Sequence, residues 1–247
     1  MKLDLLVVAA HPDDAELSVG GTLLLAAEAG LAVGVLDLTA GEAGTRGSRE
    51  ERAAEASAAA EALGLTWRGN LDLGDARLVA DVGAREQLAA ELARLRPATL
   101  LSHLPSETPR WPRDRHPDHV AAGDLARDAA FLAGLTNLTG TPAHRPTRHL
   151  AFPSHELGPA DLVVDVTPVW ERKLAAARCH ASQLDAGDGG EHLPGGSDIV
   201  ERLEVRSRLW GERIGARHGE PLVLVRSLGL DGGGLAAVFG RDLNPGT

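Results

Sequence analysis

The chain has 247 residues, with 25 basic and 35 acidic side chains and a net charge of −10. That length fits one α/β domain or at most two small ones, and no break in composition marks a second, so residues 1–247 read as a single domain. The acidic balance excludes a general nucleic-acid or anionic-membrane binder, because no basic stripe would release counterions from a polyanion.

In chain order, Leu3–Ala10 is a run of apolar residues that predicts a buried strand, followed by a helix over Gly21–Ala29. A second strand is expected at Ala32–Leu38 and a second helix at Arg49–Leu63, started by a capping box of Ser48 and Glu51. A helix over Gly83–Leu95, a strand at Ala98–Leu104 and a helix over Asp118–Leu132 come next. Short strands at His149–Phe152 and Leu162–Val166 precede a helix from Val169 to about Ala181. Asp185–Asp198, rich in Gly and Asp, reads as a loop beside a site or a surface excursion. A helix from Ile199 to about Ala216, a strand at Leu222–Val225 and a pattern-poor tail, Asp231–Thr247, end the chain. Strands separated by helices imply parallel βαβ units, hence a Rossmann-like, mostly parallel sheet with helices on both faces.

His-Pro-Asp occurs twice, at residues 11–13 and 116–118, extended by Asp14 in the first copy and by His119 in the second. Proline disfavours helical geometry for the residue before it, so His11 is expected to be extended at the carboxyl end of the first strand, where open α/β sheets place their ligands. An isolated His-Pro-Asp is usually a turn or a helix start, but two extended copies point to a metal site. His11 and Asp14 from one turn, with His119 from the other, give the three protein ligands of a catalytic zinc centre. Two imidazoles and one carboxylate also suit iron(II) and other divalent ions. Asp13 is then spare beside the metal and fits the role of general base, while His116 suits oxyanion stabilisation or protonation of a leaving amine. Asp118 suits the orientation of a ligand imidazole. Gly20-Gly21 lacks the spacing and the lysine of a phosphate loop, and reads as close backbone packing.

Ala10–Glu16, Gly20-Gly21-Thr22 and His116–His119 together resemble the zinc-dependent N-acetylglucosaminyl deacetylases of the LmbE/PIG-L family. The resemblance covers residues 1 to about 226 and implies a Rossmann-like hydrolase of acetamido-sugar conjugates, with His11, Asp14 and His119 on zinc, Asp13 as base and His116 as the oxyanion or acid histidine. It also implies a homo-oligomer, hexamers being common in that family. Asp37–Ser48, Asn70–Leu73 and Asp114–His119 are similar to the bacillithiol-biosynthesis branch, whose substrate is N-acetylglucosaminyl malate. A malate dianion suits arginine, and Arg46 and Arg115 are the candidates for its grip. Lys173–Gln183 resembles the family's later helix ending in His-x-Ser-Gln, which makes His180 a candidate at the sugar pocket; His103, at a strand end, is a further one. Trp111 lies near the second motif and is a candidate to flank a sugar ring. No tyrosine is present to assist a tetrahedral intermediate. The single cysteine, Cys179, reads as small apolar packing in a chain without disulfides. No signal pattern opens the chain and no apolar run approaches ~20 residues, so a cytoplasmic protein is expected.

Overall fold

A computed structural model describes residues 1–108, 116–154, 158, 160–184 and 199–229. Seven strands form one sheet: β1 (Leu5–Ala9), β2 (Val33–Asp37), β3 (Trp67–Asn70), β4 (Thr99–His103), β5 (Arg148–Phe152), β6 (Leu162–Asp165) and β7 (Gly219–Leu224). Their order is β3-β2-β1-β4-β5-β7-β6. The five strands from β3 to β5 are parallel, and β7 pairs antiparallel with both β5 and β6. The chain runs outward from β1 to β2 and β3, then returns to β4 on the other side of β1. That reversal leaves a crevice at the carboxyl ends of β1 and β4, the place where this architecture binds ligands.

The helices are α1 (Asp14–Glu28), α2 (Arg49–Leu63), α3 (Val82–Leu95), α4 (Pro117–Leu132), α5 (Thr136–Thr139), α6 (Trp170–Ala177), α7 (Ala181–Leu184) and α8 (Ile199–Glu212). Alternate residues of β1 supply two cores, as period-two side chains of a doubly covered strand must. Leu5, Val7 and Ala9 face α1, α6 and α8, whereas Leu6, Val8 and Ala10 face α3 and α4. No helix of the described residues is long and apolar enough to cross a membrane.

The short α5 was not expected, the helix expected from Val169 to about Ala181 ends at Ala177 with α7 following, and two further departures bear on the site. The strand β3, Trp-Arg-Gly-Asn, has neither an apolar run nor alternation, and it forms because it pairs with β2 at the sheet edge. The first helix begins at Asp14 instead of Gly21, but it is broken at Val19 (φ −135°, ψ 17°). Beyond the break the Glu220 carboxylate accepts from the backbone N–H groups of Gly21 and Thr22, at 2.9 and 2.7 Å. A side chain at Gly21 would overlap Val166, so the glycine pair serves close packing, as expected. The 185–198 loop, the 231–247 tail, Trp111 and Arg115 lie outside the described residues.

Candidate metal centre

The first motif folds onto itself. The Asp14 carboxylate accepts from the backbone N–H of His11 at 2.8 Å, which turns the chain sharply after β1 and brings the two side chains together. His11 Nδ1 lies 3.4 Å from Asp14 Oδ2. Between them Asp13 has φ 126°, a region that side chains rarely adopt, and it precedes α1 without capping it. Strain of this kind persists only where surrounding contacts hold it. Here Arg52 on α2 does so: its Nη2 donates to the Pro12 carbonyl at 2.7 Å and reaches Asp13 Oδ2 at 3.5 Å, and its Nη1 donates to the Gly41 carbonyl at 2.9 Å.

The second motif starts α4. Pro117 occupies the first turn, where its missing N–H costs nothing. His116 is the N-cap, and its Nδ1 accepts from the backbone N–H of Asp118 at 3.2 Å. An acceptor at Nδ1 fixes the neutral tautomer with the proton on Nε2. Burial, and then the neighbouring His119 and His11, lower the His116 pKa, which also favours the neutral ring. In the first turn of α4, His119 Nε2 lies 3.1 Å from Asp14 Oδ1.

Ligand atoms of His11, Asp14 and His119 all lie within 4.8 Å of one another, and so do those of His11, His116 and Asp118. The donors fit a divalent ion of borderline softness. His11 is also braced from behind: its Nε2 lies 3.0 Å from Asp75 Oδ1 and 3.4 Å from Asp118 Oδ2. A carboxylate on the far nitrogen of an imidazole is the usual support of a metal-binding histidine. The carboxylates favour a cation at His11. Burial lowers the His11 pKa, but the hydrogen bond to Asp14 and the charges of Asp14, Asp13 and Asp75 outweigh it and raise the value to about 9. Burial raises the Asp14 carboxyl, and the charges and hydrogen bonds of His119, His103 and His11 hold it below the ordinary range. Asp13 goes the other way: burial and the charge of Asp14 lift it to about 6 despite Arg52, His180 and His11.

Two of these residues carried little sequence signal. Asp75 follows β3, and without that strand the Leu73-Gly74-Asp75 turn has no assigned place at the sheet's carboxyl edge. Arg52 lies inside the Arg- and Glu-rich first turns of α2, where a solvated charge is the ordinary reading, yet it is only 4% exposed. His103, at the end of β4, stacks on His119 with ring centroids 4.2 Å apart. Its Nε2 accepts from the Ala10 N–H at 3.1 Å and its Nδ1 meets Ser154 Oγ at 2.9 Å, so it is a neutral ring that shapes the floor of the site. Burial and the charge of His119 lower its pKa to about 4.

The other sequence candidates are placed differently. His180 is fully buried, with its Nε2 3.4 Å from Glu16 Oε2, so it presents no surface to a sugar; the correction follows from α6 turning its end inward beneath α1. Of the same motif, Ser182 is tied to Glu55 and Gln183 lines the cavity, donating to the Arg46 carbonyl at 2.9 Å. Arg46 is half-buried, and Gly44 and Arg52 form the cavity wall there. Cys179 is half-buried, with burial pushing its thiol pKa up, against a nucleophilic role.

The cavity over this cluster measures about 810 Å³ and is lined by His11, Asp13, Asp14, Asp75, His116 and His119 on one side and by α8 on the other. A second cavity of about 640 Å³ lies between α2 and β3, and none of the metal-type residues lines it.

Residues 6–130 match the family described as PIG-L, GlcNAc-PI de-N-acetylase. The chain belongs to the PIG-L/LmbE family. It is 31% identical over 192 residues to the diacetylchitobiose deacetylase of Thermococcus kodakarensis, covering 72% of this chain and 69% of that one. It is 32% identical over 202 residues to the 4-oxalmesaconate hydratase of Pseudomonas putida, covering 72% and 73%. A probable N-acetyl-α-D-glucosaminyl L-malate deacetylase of Bacillus cereus is 28% identical over 202 residues, covering 75% and 86%. Among solved structures, a conserved protein of Thermus thermophilus superposes with a TM-score of 0.81 and 38% identity, over 93% of this chain and 98% of the other.

Proposed function

We propose that the protein is a metal-dependent de-N-acetylase that hydrolyses the acetamide of an N-acetylglucosamine conjugate. The observation that carries this reading is Asp13: a carboxylate beside the His11–Asp14–His119 group, outside that ligand set, held in a strained backbone and with its pKa lifted to about 6. Binding alone has no use for a spare base in that position.

His11, Asp14 and His119 would hold the ion, with Asp75 and Asp118 behind His11. When bound, the ion supplies Lewis-acid polarisation of the acetyl carbonyl and lowers the pKa of water toward roughly 7. Asp13 takes the proton of the attacking water, and Arg52 keeps its carboxylate aimed into the cavity. His116, protonated on Nε2, donates to the carbonyl oxygen as it gains negative charge. Because His116 Nδ1 is already an acceptor, delivery of a proton to the leaving nitrogen falls to Asp13. The products are acetate and the free amine.

The finer reading is N-acetylglucosaminyl malate, as in bacillithiol biosynthesis. It is supported by the similarity of residues 37–48 and 70–73 to that branch and by the Bacillus cereus relative. A second reading, hydration of an unsaturated oxo-acid, is favoured by the equal likeness to the Pseudomonas hydratase. The test is acetate release from N-acetylglucosaminyl malate and from free N-acetylglucosamine, with loss of alkene absorbance of 4-oxalmesaconate followed in parallel. Preference for the malate conjugate supports the finer reading, and equal turnover of both sugars keeps the deacetylase alone. Alkene loss without acetate release transfers the reaction to hydration.

A further inference from the structure

Packing accounts for two residues of the His180-x-Ser182-Gln183 motif. Ser182 donates to the Glu55 carboxylate and Gln183 to the Arg46 carbonyl, which ties α7 to α2 and to the loop before it. His180 turns inward instead. Its ring is fully buried, with Nε2 3.4 Å from Glu16 Oε2, an ion-pair distance without hydrogen-bond geometry. Among the described residues, neither ring nitrogen nor Glu16 Oε2 has a hydrogen-bond partner. A buried polar ring in that state is costly unless charge compensates it. Arg68 donates to Glu16 Oε1 at 2.6 Å and to both oxygens of Asp37, at 2.9 and 3.2 Å. One guanidinium thus serves two buried carboxylates, and the negative charge left over is cancelled by an imidazolium at His180.

Asp13 borders this group. It is the residue before α1 and Glu16 is the third residue of the helix, the spacing that a capping box would join. No box forms: Asp13 caps nothing, and Glu16 is held by Arg68 and His180. The two carboxylates therefore start the same turn, Glu16 in the interior and Asp13 on the cavity wall. Burial lowers the His180 pKa, but Glu16 and then Asp13 outweigh it and raise the value. His180 in turn stands next to Arg52 among the charges that oppose the effect of burial on Asp13.

We infer that His180 is a positioning residue for Asp13: an imidazolium anchored on Glu16 that, together with Arg52, holds the Asp13 carboxylate where it takes the proton of the attacking water. The ring meets no sugar and acts only through Asp13. The inference rests on the de-N-acetylase reading, in which Asp13 is the base.

Acetate release from methyl N-acetylglucosaminide by the zinc-loaded protein is measured alongside zinc content. His180→Gln is expected to lower kcat roughly 10–100-fold while KM and zinc content stay unchanged. Placed on top of Asp13→Asn, the same substitution is expected to lower kcat no further, because the residue through which it acts is already altered. An unchanged kcat in His180→Gln, a loss confined to KM or zinc content, or an equal loss in both backgrounds overturns the inference; the last is the mark of a merely structural ion pair. The imidazole nitrogen resonances of the unaltered, zinc-loaded protein supply a second readout near neutral pH. The His180 ring is expected to be doubly protonated, with its resonances displaced in Asp13→Asn. A neutral ring, or resonances that Asp13→Asn leaves in place, overturns the inference even if His180→Gln does not fold. If the unaltered protein releases no acetate, the de-N-acetylase reading fails separately, and the same resonances alone decide whether His180 acts on Asp13.

Discussion

Two groups of buried charges lie along α1, one at its start and one at its break, and their difference separates structure from chemistry. At the break in the helix, the Glu220 carboxylate accepts from the Gly21 N–H and, at 2.5 Å, from Lys173 Nζ through one oxygen. Its other oxygen accepts from the Thr22 N–H and hydroxyl, at 2.7 and 2.6 Å. Every donor is supplied by the protein, the charges cancel and no cavity-lining residue is involved. At the start of the helix Asp14 is also buried, but it faces the ring nitrogens of His11, His103 and His119, and of these residues Asp14, His11 and His119 line a cavity. The first group closes on itself; the second is completed by something from outside.

The sharpest way to break the comparison is by activity. Asp13→Asn is expected to lose roughly 10²–10⁴-fold in kcat, the usual contribution of a general base, while retaining the metal, as measured by steady-state kinetics and metal content on one preparation. Near-normal turnover would remove Asp13 from the mechanism. The converse holds at the break in the helix. Glu220→Gln leaves the buried Lys173 ammonium without its counter-charge and is expected to destabilise the fold by roughly 3–5 kcal/mol, as read by denaturant unfolding. A stability loss comparable to that of a surface substitution would show that the closed pair does not hold the helix break.

The pH dependence sharpens the contrast further. Asp13 works as the carboxylate, so turnover is expected to fall as pH drops through about 6, with a bound cation moving that limb lower. A rate that rises on acidification would contradict its role as base. Stability also depends on a group that does not line the cavity. His149 is buried against Ser102 Oγ at 2.9 Å, and burial, with the charges of Arg226 and Arg127, lowers its pKa from 6.5 to about 3. The unfolded chain binds that proton first, so its contribution is complete above about 6.5 and is lost progressively as pH falls toward about 3. His149→Asn is expected to flatten this acid limb of unfolding by a smaller margin than the effects above.

The same contrast explains what could be read from the sequence. The ligand motifs were legible because each packs metal-type side chains around a proline, the first directly after the apolar run of β1 and the second at the start of a helix whose first turn carries His119. The parallel core was legible because β1, β2 and β4 are covered on both faces, which leaves β1 wholly apolar and gives β2 and β4 short apolar runs. The edge strand β3 was not, since Trp-Arg-Gly-Asn has its pairing and not its composition to thank, and with it went Asp75. Arg52 was not singled out, and His180 was expected at the sugar pocket, for a related reason. An arginine in a helix's first turns usually faces water, and a histidine near a helix end usually meets solvent, but here both are buried. Tertiary burial of polar side chains is the part that local pattern does not carry.

The most direct test of the central claim is a zinc titration of the metal-free protein, with acetate release from an N-acetylglucosamine conjugate read at each addition. The account predicts turnover that rises with zinc and saturates at one ion per chain, with His119→Ala showing neither binding nor turnover. Acetate release that is indifferent to added metal and to chelator, or zinc binding that survives His119→Ala unchanged, would contradict it.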